Sequence, residues 1–451
     1  MFTQANNLTN ASLLRMFLIG LSINLIYLSF LAANEVSRTN LNPIAKNAST
    51  VWNGSDVDTY IRPAKEFLKT GIFTGRGGLP DSHRTIGYPF FLALCMMLAG
   101  EFWVECAIGL QVLLFAIIYP ALAIVARELF NASLQKIHTF LIIYAFCGAG
   151  WAYTPTLLTD QFFTVCLWSA IALGLLAIKL SKIWLWVGHF ILLACAAAIR
   201  PTLSLFPVGF AALFIGLHQH CCNWKHVSFI VYVFLIQMLL CQTPAIRNFV
   251  NHGVWVPSDV VVNNLSDYLA KNTLSLTGDT NTYPIAKSGW EDMNLADRLA
   301  AKSEFAVKVF LNHPVATMGV VFTNLICNTL ETHWINVFHY FRSSLHSDLK
   351  RWCALTSGLK VFHFIWALIN SILTLAACIG AIRLARERHW AIFLFIFVFS
   401  LPFFYGATDA QGARFRLYLE GLILMLVFCS SPGGIATRKR FDAEQIDDRT
   451  E

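Results

Sequence analysis

The chain has 451 residues, 56% of them hydrophobic and 13% charged, against about 25% charged in a soluble domain. With a mean hydropathy of +0.58, this composition excludes a soluble globular domain and identifies an integral membrane protein. The net charge of +7 is no nucleic-acid signature, because the basic residues sit mostly in short loops beside apolar runs, where the positive-inside rule already places them.

Residues 2–11 are polar and carry neither a charged leader region nor a small-residue cleavage site, so the first apolar run, 12–33, reads as a retained anchor. Runs close to the roughly 20 residues that cross a bilayer follow at 104–126, 137–155, 160–179, 184–199, 201–217, 226–243, 360–382, 390–408 and 417–432, which predicts ten spans. Two further stretches, 86–100 and 313–337, are short or interrupted by His313, Asn324, Asn328, Glu331 and His333, and read as interfacial or re-entrant helices. If neither crosses, Arg15, Arg127, Lys136, Lys179, Lys182, Lys225, the Arg383–Arg388 cluster and Arg438-Lys439-Arg440 fall on one side. That side is then cytoplasmic, with both termini and a charged tail, 434–451. The extracytoplasmic face receives two long polar segments, 34–103 and 244–359, and short turns around Asp160, Arg200 and 409–416. Residues 1–433 form one all-α transmembrane domain without an internal repeat.

The 12 cysteines lie mostly in the spans, where Cys acts as a small hydrophobe, and their spacing marks neither a disulfide framework nor a zinc ribbon. His218, His220, Cys221, Cys222 and His226 share one predicted cytoplasmic loop. Soft and imidazole ligands so close together could hold a metal, but their spacing matches no established site and polar residues at a helix end account for them.

Chemistry concentrates on the other face. Asp56-Val57-Asp58-Thr59-Tyr60 follows the first span. Asp56 and Tyr60, four apart, share a helix face, whereas Asp56 and Asp58, two apart, point in nearly opposite directions. The run from Tyr60 to Gly71 mixes polar and apolar residues and suits a helix along the membrane surface, closed by glycine. Arg84-Thr85-Ile86-Gly87-Tyr88-Pro89 then forms a turn into the next apolar run. Asp160 stands at the mouth of a span, Arg200 lies between two apolar runs just before Pro201, and Arg247, Arg414 and Arg416 join them. A charge at the rim of a span commonly faces a cavity or a partner, and guanidinium groups bind phosphate oxygens while staying charged when partly desolvated. Taken singly, each arginine is also explained by snorkelling at its own helix end, and each acid by a solvated loop.

The order of these features resembles the GT-C membrane glycosyltransferases, in the bacterial branch related to protein mannosyltransferases and the lipid A aminoarabinose transferase. The resemblance spans residues 12–432 and rests on the sequence and sidedness of motifs of two to five residues each: the acid-then-tyrosine stretch, Arg84 with Gly87-Tyr88-Pro89, the Pro155-to-Asp160 turn, Arg200-Pro201, Ile246-Arg247-Asn248 and Arg414-Phe415-Arg416. It implies a GT-C-like bundle with interfacial helices in the two long segments. It also implies a polyprenyl-phosphate sugar donor, a glycan, lipid or protein acceptor, and transfer on the periplasmic or luminal face, with a bacterial inner membrane as the expected home among membrane lipids. No cofactor and no obligatory metal are expected. The family's first-loop carboxylate falls on Asp56, with Asp58 second, because this chain has Asp-Val-Asp where relatives carry adjacent acids. Arg84, Arg200, Arg247 and Arg414 are then expected at the donor phosphate, and Tyr60, Tyr88, Asp160 and Arg416 at the substrate. A carboxylate base and direct displacement by the acceptor would invert the anomeric centre.

Two other readings share these features: a lipid or polysaccharide transporter, and an oligosaccharide ligase using a diphosphate-linked glycan. Turnover after neutralising Asp56 separates them from the transferase. A non-catalytic membrane scaffold is a third, and it predicts that no single polar substitution abolishes function.

Overall fold

The computed structural model describes residues 8–41, 57–75, 80–147, 157–203, 206–217, 224–290, 292–330, 357–386, 390–405 and 417–429. Asp56, Arg414, Arg416 and most of the His218–His226 cluster lie outside these residues, and so does the charged tail. The described residues are 86% helical and include no strand, only an isolated bridge between Thr74 and Pro80.

Helix α1, Asn10–Leu41, begins where the Thr9 hydroxyl accepts the Ser12 amide, a side-chain cap on an otherwise orphan donor. Its apolar part, Asn10–Ser29, is long enough to cross a membrane. Helix α2, Val57–Thr70, turns Tyr60 and Ala64 inward and Asp58 and Lys65 outward, as the mixed polar pattern predicts. Helices α3 (Gly87–Ala99), α4 (Trp103–Ala116) and α5 (Ile118–Phe130) follow in one apolar stretch of 44 residues. Helix α6, Leu134–Phe146, is capped by Ser133, whose hydroxyl accepts the Lys136 amide.

Helices α7 (Thr159–Leu180) and α8 (Ile183–Ile199) form the centre. Ser181, at a left-handed φ of 51°, closes α7 and turns the chain straight into α8, which packs along it. Helix α7 is buried on nearly all sides because α5, α8 and the last helix all pack against it. Then come α9 (Phe206–Leu217), α10 (Trp224–Cys241) and α11 (Thr243–His252). A polar cap follows: α12 (Val260–Asn263), a π-helical turn Asn264–Ala270, α13 (Lys271–Thr277), α14 (Thr282–Lys287) and α15 (Leu295–Asn312). It has its own small core of Ala270, Leu274, Ala306 and Val309. Lys302 is held over the Trp290 ring while bonding Asn263 and Asp267. Helices α16 (Pro314–Leu330), α17 (Ser357–Arg386), α18 (Trp390–Tyr405) and α19 (Leu417–Phe428) complete the described chain.

The all-α membrane class stands. Among the described residues, four stretches qualify by length and apolarity: Asn10–Ser29, Gly87–Phe130, Thr159–Leu180 and Phe364–Leu384. Two bent pairs, Val227–Cys241 with Thr243–His252 (47°) and Leu295–Asn312 with Pro314–Thr329 (104°), raise this to six. Hydropathy registers apolar composition, whereas crossing needs an unbroken helix. The predicted span 184–199 shows the difference: α8 has 17 residues, rising about 25 Å against a hydrocarbon core of about 30 Å, because Arg200 and Pro201 end it. The predicted span 104–126 falls inside the qualifying stretch Gly87–Phe130, where α4 passes into α5 through Ile117. Helix α3, expected to be interfacial or re-entrant, is apolar all round; Tyr88, Leu92 and Cys95 are buried while Phe90, Leu94, Met97 and Leu98 are exposed. A helix with that division packs on protein with one face and presents the other to lipid.

One polar group sits deep among these helices. The His189 Nδ1–H donates to the Ala170 carbonyl at 2.7 Å, and Nε2 accepts from Gln237 at 2.8 Å, tying α7, α8 and α10 together.

Candidate functional site

The α7–α8 hairpin dictates where the site forms. Asp160 lies in the first turn of α7 and Arg200 is the residue that ends α8. In an antiparallel pair joined by a two-residue link, those two ends meet. Acid at a helix N-terminus and base at a C-terminus also match the helix dipoles. Arg200 Nη2 reaches Asp160 Oδ1 at 2.5 Å, its Nε donates to the Thr159 hydroxyl at 3.3 Å, and its guanidinium carbon lies 5.7 Å from the Phe163 ring centre. Asp160 is 1% exposed.

The segment 80–88 is laid across this junction. The Asp81 carboxylate accepts the backbone amides of His83 (2.9 Å) and Arg84 (3.4 Å), which curls the chain. The Thr85 hydroxyl donates to the Ile199 carbonyl at 2.6 Å. Gly87 then passes so close to α8 that a Cβ there would fall 2.7 Å from the carbonyl of Ala198. Only glycine permits this crossing. Tyr88 is thereby buried at the junction, where its hydroxyl donates to Gln111 at 2.6 Å.

The start of α2 closes another side. Arg84 Nε donates to the Thr59 hydroxyl at 2.9 Å, and its guanidinium carbon stands 4.6 Å from the centre of the Tyr60 ring. Tyr60 meets Tyr88 edge-on at 5.3 Å. The arrangement orients Arg84 from two directions, by a hydrogen bond and by an aromatic face.

Helix α11 supports the segment from behind. Arg247 donates through Nη1 to the Arg84 carbonyl (3.1 Å) and through Nη2 to the Asp81 carbonyl (2.8 Å), while Asn248 accepts from Nε and Nη2 of the same guanidinium. Its fork therefore binds backbone, a rigid planar clamp. On the other flank the buried Asp259 accepts from Ser82 (3.1 Å), His83 Nδ1 (2.7 Å) and Asn263 (3.1 Å), with Arg298 at 3.9 Å. Burial pushes the Asp259 carboxyl up, but the hydrogen bond and charge of His83, the Ser82 hydroxyl and Arg298 together hold it below the ordinary carboxylate range.

Of the residues singled out from the sequence, Arg84, Tyr60, Tyr88, Asp160 and Arg200 come together at one end of the bundle. Asp160 and Arg200 contact each other there. Asp58 is exposed on α2, two residues from the inward Tyr60. Arg247 lies behind the segment. Sequence reading gave Thr59 and Asn248 only as members of motifs and did not single out Asp81, Ser82, His83, Gln111 or Asp259. The polar run Asp81-Ser82-His83 ahead of Arg84 is the signal that could have found three of them. Among the described residues no three His, Cys, Asp or Glu side chains gather as metal ligands. Chemically, the arrangement offers fixed guanidinium charge, aromatic faces and hydroxyls at the end of apolar helices, which suits an anionic headgroup on a lipid. No family model matches the chain, and no curated protein matches it.

Proposed function

We propose that this protein is a GT-C-type glycosyltransferase that moves a hexose or pentose from a polyprenyl-phosphate carrier to a hydroxyl of a glycan, lipid or protein acceptor. Transfer takes place on the periplasmic side of a bacterial inner membrane. The observation that carries the reading is the convergence of Arg84, Thr59 and Tyr60 with Tyr88 and the Arg200–Asp160 pair, from four separated parts of the chain, at one end of a membrane bundle. A polyprenyl phosphate needs apolar walls for its chain and fixed positive charge for its headgroup.

In this reading a first-segment carboxylate, Asp56 before Asp58, takes the proton of the acceptor hydroxyl as its oxygen attacks the anomeric carbon. The bond to the phosphate oxygen breaks on the opposite side, so configuration inverts. Arg84, supported by Thr59 and Tyr60, faces the charge that develops on the leaving phosphate. Arg414 and Arg416 remain candidates for the same headgroup. Arg247 acts one step back, by holding the carbonyls on either side of His83.

The test is turnover of labelled polyprenyl-phosphate sugars by the full chain in lipid nanodiscs, with candidate acceptors, for wild type, Asp56→Asn and Asp58→Asn. The expected result is donor consumption by wild type and Asp58→Asn and a loss of about 100-fold or more in Asp56→Asn. Donor consumption unaltered in both variants removes the carboxylate base. No consumption by folded wild type overturns the reading in favour of a transporter or a diphosphate-linked ligase.

A further inference from the structure

Nine of the ten residues of helix α11 fall into three sectors. Pro244, Ala245 and Asn248 are buried against the protein. Thr243, Arg247 and Asn251, four apart in sequence, form a polar sector that includes the clamp on the Asp81 and Arg84 carbonyls. Ile246, Phe249 and Val250 form an apolar sector, with Phe249 52% and Val250 75% exposed. Just beyond the helix, Trp255 is 59% exposed and lies 6.0 Å from Phe249. A helix with one protein face, one polar face and one bare apolar face carrying aromatics is built for the boundary of a bilayer.

Its height agrees. Helix α11 continues from the apolar stretch Val227–Cys241 after a bend of 47°. That stretch rises about 22 Å, short of the hydrocarbon core of about 30 Å. Exposed Val231, Tyr232, Leu235 and Leu239 show that one side of it is bare along its length. Ten residues of α11 tilted by that bend add about 10 Å, which brings Phe249, Val250 and Trp255 to the level where acyl chains give way to headgroups.

We infer that the Phe249–Val250–Trp255 face of α11 rests in the headgroup boundary of the phospholipid bilayer, and that through Arg247 this contact sets the height of the Arg84 segment. The partner is phospholipid. The start of the second long polar segment is accordingly a membrane-seated helix and not a solvated loop. Because Arg247 binds backbone on both sides of His83, a rigid link runs from lipid to the site. This inference concerns the bilayer and stands whether or not the transferase reading holds.

The experiment places p-benzoylphenylalanine at Val250, at Trp255 or, as a solvent-facing control, at Asp279, in the full chain in nanodiscs of phosphatidylethanolamine and phosphatidylglycerol. After irradiation, adducts on monodisperse protein are read by intact mass. Phospholipid adducts at least tenfold above the Asp279 control at positions 250 and 255 are expected, and either position alone suffices if the other does not fold. Adducts to a second copy of the chain, or no excess over the control, overturn the inference.

Discussion

The middle and the end of the bundle hold ionisable groups among apolar helices in opposite ways. In the middle of the bundle, His189 is fully buried and joins a carbonyl and an amide, three neutral groups holding three helices. At the end of the bundle, Asp160 and Arg200 meet as opposite charges beside Arg84, Tyr60 and Tyr88, with the side chain of Arg200 still 13% exposed. The first group is a joint between helices. The second is an ion pair at the end of the bundle, with part of the Arg200 side chain still at the surface. Burial of an ionisable residue in a membrane protein therefore says little by itself until its partners are known.

The largest test of this contrast is Asp160→Ala, which leaves the Arg200 guanidinium without its carboxylate. Removing one partner of a buried ion pair costs about 3–5 kcal/mol, so thermal unfolding in detergent should fall by several degrees. The double variant Asp160→Ala with Arg200→Met should recover part of that loss; a double variant as unstable as the single one would break the contrast. The effect of His189→Leu is smaller, because hydrogen bonds between membrane helices are worth about 0.6 kcal/mol on average and under about 2 kcal/mol at most. Stability drops slightly while any wild-type turnover stays within about twofold. Turnover lost at unchanged stability would move His189 from joint to site.

The smallest effect is acid sensitivity at Asp259. Its folded carboxyl titrates below the ordinary range, so the stability it contributes is complete above the unfolded value of about 3.9 and disappears as pH falls through the lower folded value. Asp259→Asn should flatten the dependence of the unfolding midpoint on pH in that window below about 4. An unchanged slope would show that Asp259 is not the group responsible.

The sequence disclosed the membrane class, the inward face of α2 and the places where charge sits at the rim of apolar runs. Arg84, Asp160 and Arg200 were visible for that reason. Their pairing was not, since Asp160 and Arg200 are 40 positions apart and meet only because a tight turn at Ser181 makes α7 and α8 antiparallel. The bond between His83 and Asp259 spans 176 positions and leaves no periodic trace. Arg247 looked like a phosphate ligand because guanidinium chemistry is the same toward phosphate and toward carbonyl oxygen; only the fold decides which one it meets.

The crossing at Gly87 also bears on how freely this segment can drift. Ile86 is 37% exposed. One position later, the first carbon of any side chain would overlap the Ala198 carbonyl, so substitution is closed to all nineteen alternatives alike. Neighbouring positions thus differ sharply: at one the side chain reaches the surface, and the other is fixed by the space of a single methyl group.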